Sequence, residues 1–184
     1  MANVYRVGFG QVEPNHLSAQ RNGQVYGQLP AAEGIKVLEN GQFVKYDYAH
    51  VNAEGKHAPE CNFEGAGEWM LVLNEVKLYD GWRETYKDFA LRADRHDNGV
   101  ITPRVMKTMP GDIFTTNCLT VANTDGKAQV TLGDDAALVV GATLGINENG
   151  FLALGGDKTA MEWQIVKVYT MPDGQFAVKV MRTK

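Results

Sequence analysis

"WQIVKVYTMPDGQFAVKVMR", Trp163 to Arg182, is the stretch on which the fold turns. Asp173-Gly174 favours a tight turn, because glycine takes positive φ at low cost. After it, Phe176, Val178 and Val180 fall on one face, as the two-residue period of a strand requires. Before it, Trp163, Ile165, Lys167 and Tyr169 alternate with Val166 and Val168. Two strands joined through Thr170-Met171-Pro172-Asp173-Gly174 predict an antiparallel hairpin with Trp163 and Phe176 turned to the interior.

The same wording recurs upstream. "VLENGQFVKY" runs from Val37 to Tyr46, and "GINENGFLAL" from Gly145 to Leu154. Each sets Asn-Gly or Asp-Gly between apolar runs and follows it with Phe. The copies keep no fixed period, and their flanks differ. A solenoid or propeller would repeat regularly at roughly 20–50 residues. The echoes therefore read as one turn chemistry used three times.

Outward from the hairpin, residues 113–184 break into short β-type runs: "IFTTNCLTV", "AQVTL", "AALVVG", "FLAL", "MEWQIVKVY" and "QFAVKVM". Gly, Asp or Asn separates them, which predicts a small β-barrel or sandwich. Residues 102–112, "TPRVMKTMPGD", carry two prolines and read as a linker. Residues 35–101 read as a β-rich domain. Its strongest element is "EWMLVLNEVKLY", Glu68 to Tyr79, continuously apolar from Trp69 to Leu73 and then alternating. "ETYKDFALRA", Glu84 to Ala93, is compatible with a short helix in place of a strand, and periodicity alone does not settle which. Residues 1–34, rich in Gly, Gln and Asn and broken by Pro14 and Pro30, read as an extended arm. Such a segment buries little apolar surface by itself, so it either reaches a neighbour or lies over its own core. The expected fold class is thus mainly β: an arm, a β-rich unit and a small C-terminal β module.

Composition sets the outer limits. The chain is 184 residues long, 44% hydrophobic and 22% charged, as in an ordinary globular protein. A formal charge of -4 argues against a general nucleic-acid coat, which would be basic. The start, "MANVYRVGFGQ", lacks the basic and long apolar regions of a signal peptide. The longest apolar run, Ala136 to Ile146, holds two glycines and is far shorter than the roughly 20 residues of a membrane span. A cytosol-like compartment is expected, with Cys61 and Cys118 as reduced, partly buried thiols.

Candidate chemistry is sparse. In "DRHDNGVIT", Asp94, Asn98, Gly99 and Ile101 fall on positions of a calcium-binding EF-hand loop. His96 stands at a ligand position where hard calcium wants oxygen, and Val105 stands where the bidentate Glu belongs. Pro103 also blocks the exit helix, so a polar Asn-Gly turn is the better reading. His50 and His57 lie close to Glu54, Glu60 and Cys61, but without the spacing of a zinc site. Glu68 and Glu75 would have to meet a strict separation to act as glycosidase carboxylates. "GDDAAL", Gly133 to Leu138, reads as a turn. Trp69, Trp82 and Trp163 sit in or beside apolar strands, which favours packing over a sugar-stacking platform. No catalytic, cofactor or metal residue is expected.

The chain resembles structural proteins of tailed-bacteriophage virions. The resemblance rests on "GIKVLENGQFVKYDY", "ITPRVMKTMPGDIFTTNCL" and the C-terminal "VVGATLGINENGFLALGG" followed by "MEWQIVKVYTMPDGQFAVKVM". The last of these is similar to the small β modules of head-decoration and minor capsid proteins. It implies a non-enzymatic protein on the capsid surface, assembled in the host cytoplasm. Its implied partners are the major capsid protein and further copies of itself in symmetric oligomers, with neither nucleic acid nor membrane. A tail or head–tail connector component is the alternative within this class. A carbohydrate-binding module and an enzyme with dispersed residues are the alternatives outside it.

Overall fold

The computed structural model describes residues 3–6, 8–76, 88–120, 131–134 and 138–184, with only the backbone described at 3–5 and 131–134. The described chain is mainly β, as expected. No helix among the described residues is long and apolar enough to cross a membrane.

The hairpin forms where the sequence puts it. β15 (Trp163–Thr170) pairs antiparallel with β16 (Phe176–Arg182), and Gly174 takes φ +82° at the tip. The pairing shifts between Ile165 and Lys167. Such a bulge reverses which side chains face inward on the bulged strand. Ile165 therefore opposes Val180 in the core, while beyond the shift Val168, not Lys167, is opposite Val178. Trp163 is fully buried and Phe176 packs partly against the same cluster.

Around the hairpin a seven-stranded sheet assembles. β10 (Ile113–Thr116) lies on the outer side of β16, and β2 (Val12–His16) lies beyond β10. On the other side come β13 (Thr143–Ile146), β14 (Leu152–Ala153) and β11 (Leu119–Thr120). All neighbours are antiparallel except β11 and β14.

A five-stranded antiparallel sheet runs β3 (Val25–Tyr26), β9 (Val105–Met106), β7 (Trp69–Val72), β5 (Phe43–Asp47) and β6 (Glu60–Asn62). Two small ribbons complete the strands: β1 (Asn3–Tyr5) with β12 (Thr131–Asp134), and β4 (Val37–Glu39) with β8 (Ala90–Arg92).

The five-stranded sheet is buried on both faces, which explains the unbroken apolar run of β7. Phe43, Trp69, Leu71 and Met106 face the seven-stranded sheet and join Phe114, Leu144, Trp163, Ile165, Val178 and Val180 in one cluster. Three aromatic rings knit the two sheets: Phe114 meets Trp163 at 4.9 Å and 80°, and Phe43 lies 5.8 Å from Trp163. Edge-to-face pairs of this kind add about 0.5–1.5 kcal/mol beyond the area they bury. On the opposite face Val44, Tyr46, Met70, Val72 and Val105 pack with Leu38, Cys61, Ala93 and Ile101 in a second cluster.

Several expectations need correction. The linker 102–112 contains β9, whose Val105 and Met106 are fully buried beside β7. Its prolines flank the strand and do not interrupt it. The first cluster draws on both sides of that segment, so the stretches 35–101 and 113–184 share a core. Of the two options for residues 1–34, the described stretch around β2 takes the second and lies on the chain's own core: β2 is an edge of the large sheet, and Leu17 and Ala19 belong to the first cluster. The short helix is α1 (Ser18–Asn22), not Glu84 to Ala93, where Ala90–Arg92 is a strand and 84–87 lie outside the described residues. The 68–79 run yields a strand only at Trp69–Val72, and 77–79 lie outside the described residues. In "AALVVG" residues 138–141 form no strand, and 136–137 are outside the described residues.

Candidate functional site

Two of the three echoed turns meet. The Asn40-Gly41 corner, with Gly41 at φ +98°, carries the chain from β4 into β5. The Asn147-to-Gly150 turn joins β13 to β14, with Gly150 at φ +76°. The Phe43 N–H donates to the Gly150 carbonyl at 2.7 Å, and Gln42 Nε2 donates to the Asn149 carbonyl at 3.0 Å. Neither turn has room for a side chain at its glycine. A Cβ at 41 would lie 2.5 Å from the Cys118 Cβ, and one at 150 would lie 2.2 Å from the Phe43 carbonyl oxygen.

Next to this junction opens a groove of about 880 Å³. Gln42, Glu148 and Asn149 of the two turns line it, together with Ala32 and Gly34 to Val37. Asp47, Glu60, Asn62 and Glu64 come from β5, β6 and the loop after it. Four carboxylates thus face the groove, against Lys36 and His50 as its basic groups. Glu60 is braced from within: its Oε1 accepts from Asn62 Nδ2 at 3.1 Å and lies 3.5 Å from His50 Nδ1. Asn62 Oδ1 in turn accepts the N–H of Gly65 at 2.6 Å. The rim is therefore built, and its carboxylates outnumber its basic groups. A field of this kind selects for positively charged or hydroxyl-rich partners.

A smaller cleft of about 230 Å³ lies on another part of the five-stranded sheet. Tyr26, Tyr46 and Tyr48 line it, with Glu68 and Lys107 across from them.

Beneath the first groove runs a buried polar seam. Arg6 and Glu39 are both fully buried, with Nη2 and Oε2 2.7 Å apart. The same Glu39 oxygen accepts the Gly10 N–H at 2.6 Å. Burial holds the Glu39 carboxyl above its usual pKa, although Arg6 and the Gly10 N–H pull it down. Asn40 and Asn74 bond each other and the backbone: the Asn74 N–H donates to Asn40 Oδ1 at 2.7 Å, and Asn40 Nδ2 donates to the Asn74 carbonyl. Asn117 Oδ1 accepts the Gln11 N–H, and Thr116 Oγ1 donates to the Gln11 carbonyl. Cys118 sits in this seam, and burial pushes its thiol up to about 12. Cys61 lies in the second cluster and is pushed up to about 12 for the same reason. These are inert thiols, since the thiolate is the reactive form.

The residues singled out from the sequence do not converge. Trp163 and Trp69 are buried in the first cluster and present no platform, and Trp82 lies outside the described residues. Asp94 pairs with Arg92, Asn98 Oδ1 accepts the Val100 N–H, and Gly99 takes φ +66°, which is the expected polar turn. Ile101 is buried in the second cluster. His57 Nε2 lies 2.5 Å from the Tyr48 carbonyl, and Glu54 pairs with Lys56 in solvent. Glu68 and exposed Glu75 stand beyond opposite ends of β7. Its four residues alone span roughly 10 Å, more than the roughly 5–9.5 Å of a glycosidase pair. Among the described residues no three His, Cys, Asp or Glu side chains are grouped to hold a metal ion. Of the groove, sequence analysis had singled out only His50 and Glu60; Asp47, Glu64 and Glu148 lie in three separate segments with no common spacing. Set against protein-family models, curated proteins and solved structures, the chain matches none of them.

Proposed function

We propose that this chain is a non-enzymatic structural protein of a tailed-bacteriophage virion. In this reading it sits on the capsid, binds the major capsid protein and reinforces the shell in symmetric copies. The acidic groove carries the reading. It is open and lined by carboxylates from separate segments, which outnumber its basic groups. Such a groove suits a Lys- or Arg-bearing segment of a partner protein, because complementary charge sets orientation and association rate. The resemblance of the turn-and-strand stretches to head-decoration modules supplies the identity of that partner.

Mass spectrometry of purified particles tests the reading. The chain should be present in a fixed ratio to the major capsid protein and should fractionate with heads. Glu64→Lys combined with Glu148→Lys should abolish its retention on heads while leaving the purified protein folded. Absence from particles would overturn the proposal. Fractionation with tails would shift it to a connector component.

A further inference from the structure

We infer that the tyrosine cleft on the five-stranded sheet binds a single neutral pyranose ring, as at the end of a glycan. This inference is independent of the capsid reading. Its starting point is an aromatic array with one ring left in solvent. Tyr26 and Tyr46 meet edge-to-face at 6.2 Å, and Tyr46 and Tyr48 do so at 5.8 Å and 82°. Tyr46 is buried, yet Tyr48 remains 57% exposed. An anchored but exposed aromatic ring offers a contact surface that loses little freedom when something stacks on it.

The cleft wall is shaped by a glycine. A Cβ at Gly67 would lie 2.3 Å from the Tyr46 carbonyl oxygen, so bare backbone lines that side. Opposite the rings, Lys107 Nζ and Glu68 Oε2 are 2.9 Å apart, and both side chains are about two-fifths exposed. Arg182 Nη1 approaches the other Glu68 oxygen at 3.5 Å. The lining thus combines aromatic rings with a donor and an acceptor side by side.

Those features select the ligand. The volume, about 230 Å³, is below the roughly 300–1,000 Å³ of sites for drug-sized ligands. A proline-rich peptide would need a longer aromatic groove with successive pockets. Glu68 is shared by Lys107 and Arg182, so a cation finds no free carboxylate and the lysine is already held by its own partner. A pyranose brings an apolar C–H face for the tyrosines and neighbouring hydroxyls that donate to Glu68 and accept from Lys107.

Saturation-transfer NMR of the full chain with methyl glycosides of glucose, mannose, galactose and N-acetylglucosamine tests this. At least one glycoside should bind at millimolar concentration and shift the Tyr48 ring resonances. Tyr48→Ala should weaken that binding about tenfold. Lys107→Met should weaken it too, and both variants should keep a cooperative melting transition. Binding of none of these glycosides, shifts at the acidic groove and not at Tyr48, or an unchanged affinity in Tyr48→Ala would overturn the inference. Binding of a polyproline peptide to the cleft without any glycoside binding would overturn it as well.

Discussion

The Asn40-Gly41 corner and the Asp173-Gly174 tip share a sequence motif and a positive φ, yet they do different work. Gly174 has open space around it, and only its φ of +82° requires glycine. Gly41 is wedged against Cys118 and Thr116, and it follows the buried Glu39 and Asn40. The tip joins two strands that pair with each other, whereas the corner passes from one sheet to another. One kind of turn dipeptide, Asn-Gly or Asp-Gly, thus sets register in one place and permits close packing in the other. Backbone preference is common to both; the surroundings decide what a substitution costs.

The largest effect should come from the charge beside the corner. Glu39→Gln leaves Arg6 buried without a countercharge, and breaking a buried pair from one side typically costs about 3–5 kcal/mol. Urea unfolding should show this loss, and Arg6→Met in the same chain should restore much of it. If Glu39→Gln were neutral, the seam would not be what fastens the corner. Because the sheets share a core, calorimetry of each variant should give one transition.

Gly41→Ala comes next. Overpacking of about 1–3 kcal/mol adds to a left-handed backbone cost of roughly 1 kcal/mol. Gly174→Ala should cost only the latter, about 1 kcal/mol. Equal losses at the two sites would erase the distinction between them.

The smallest effect at neutral pH belongs to the thiols. Cys118 and Cys61 have folded values near 12 against an ordinary 9.0. A raised thiol pKa gives stability that is intact below about 9 and lost as pH rises toward 12. Native protein at neutral pH should resist iodoacetamide, and denaturation midpoints should fall only above pH 9. Rapid alkylation of Cys118 in native protein would show that the corner opens.

The hairpin was legible because alternation over eight and seven residues states the strand, and Asp-Gly states the turn. β9 was not legible: a two-residue strand has no period, and Pro103 and Pro110 around it look like a break. The polar seam was hidden for another reason. Gln11 meets Asn117 across 106 positions and Ser18 meets Asp112 across 94, and no local pattern encodes such pairs. The groove shares that difficulty, with carboxylates drawn from 47 to 148. The tyrosine cleft left one local trace, the Tyr46-Asp47-Tyr48 alternation that puts both rings on one face; Tyr26 and Lys107 gave none.

The strand order of the large sheet also sets a timetable. β16 lies between β15 and β10, and β2 lies beyond β10, so strands far apart in the sequence are neighbours in the sheet. Until Phe176 to Arg182 are synthesised, Phe114 and Trp163 lack the strand that brings them together. Such non-local pairing slows folding, because loop closure must precede the contacts that reward it. The two sheets therefore close only once residues 176–182 are present, and until then the apolar strand faces are exposed to aggregation.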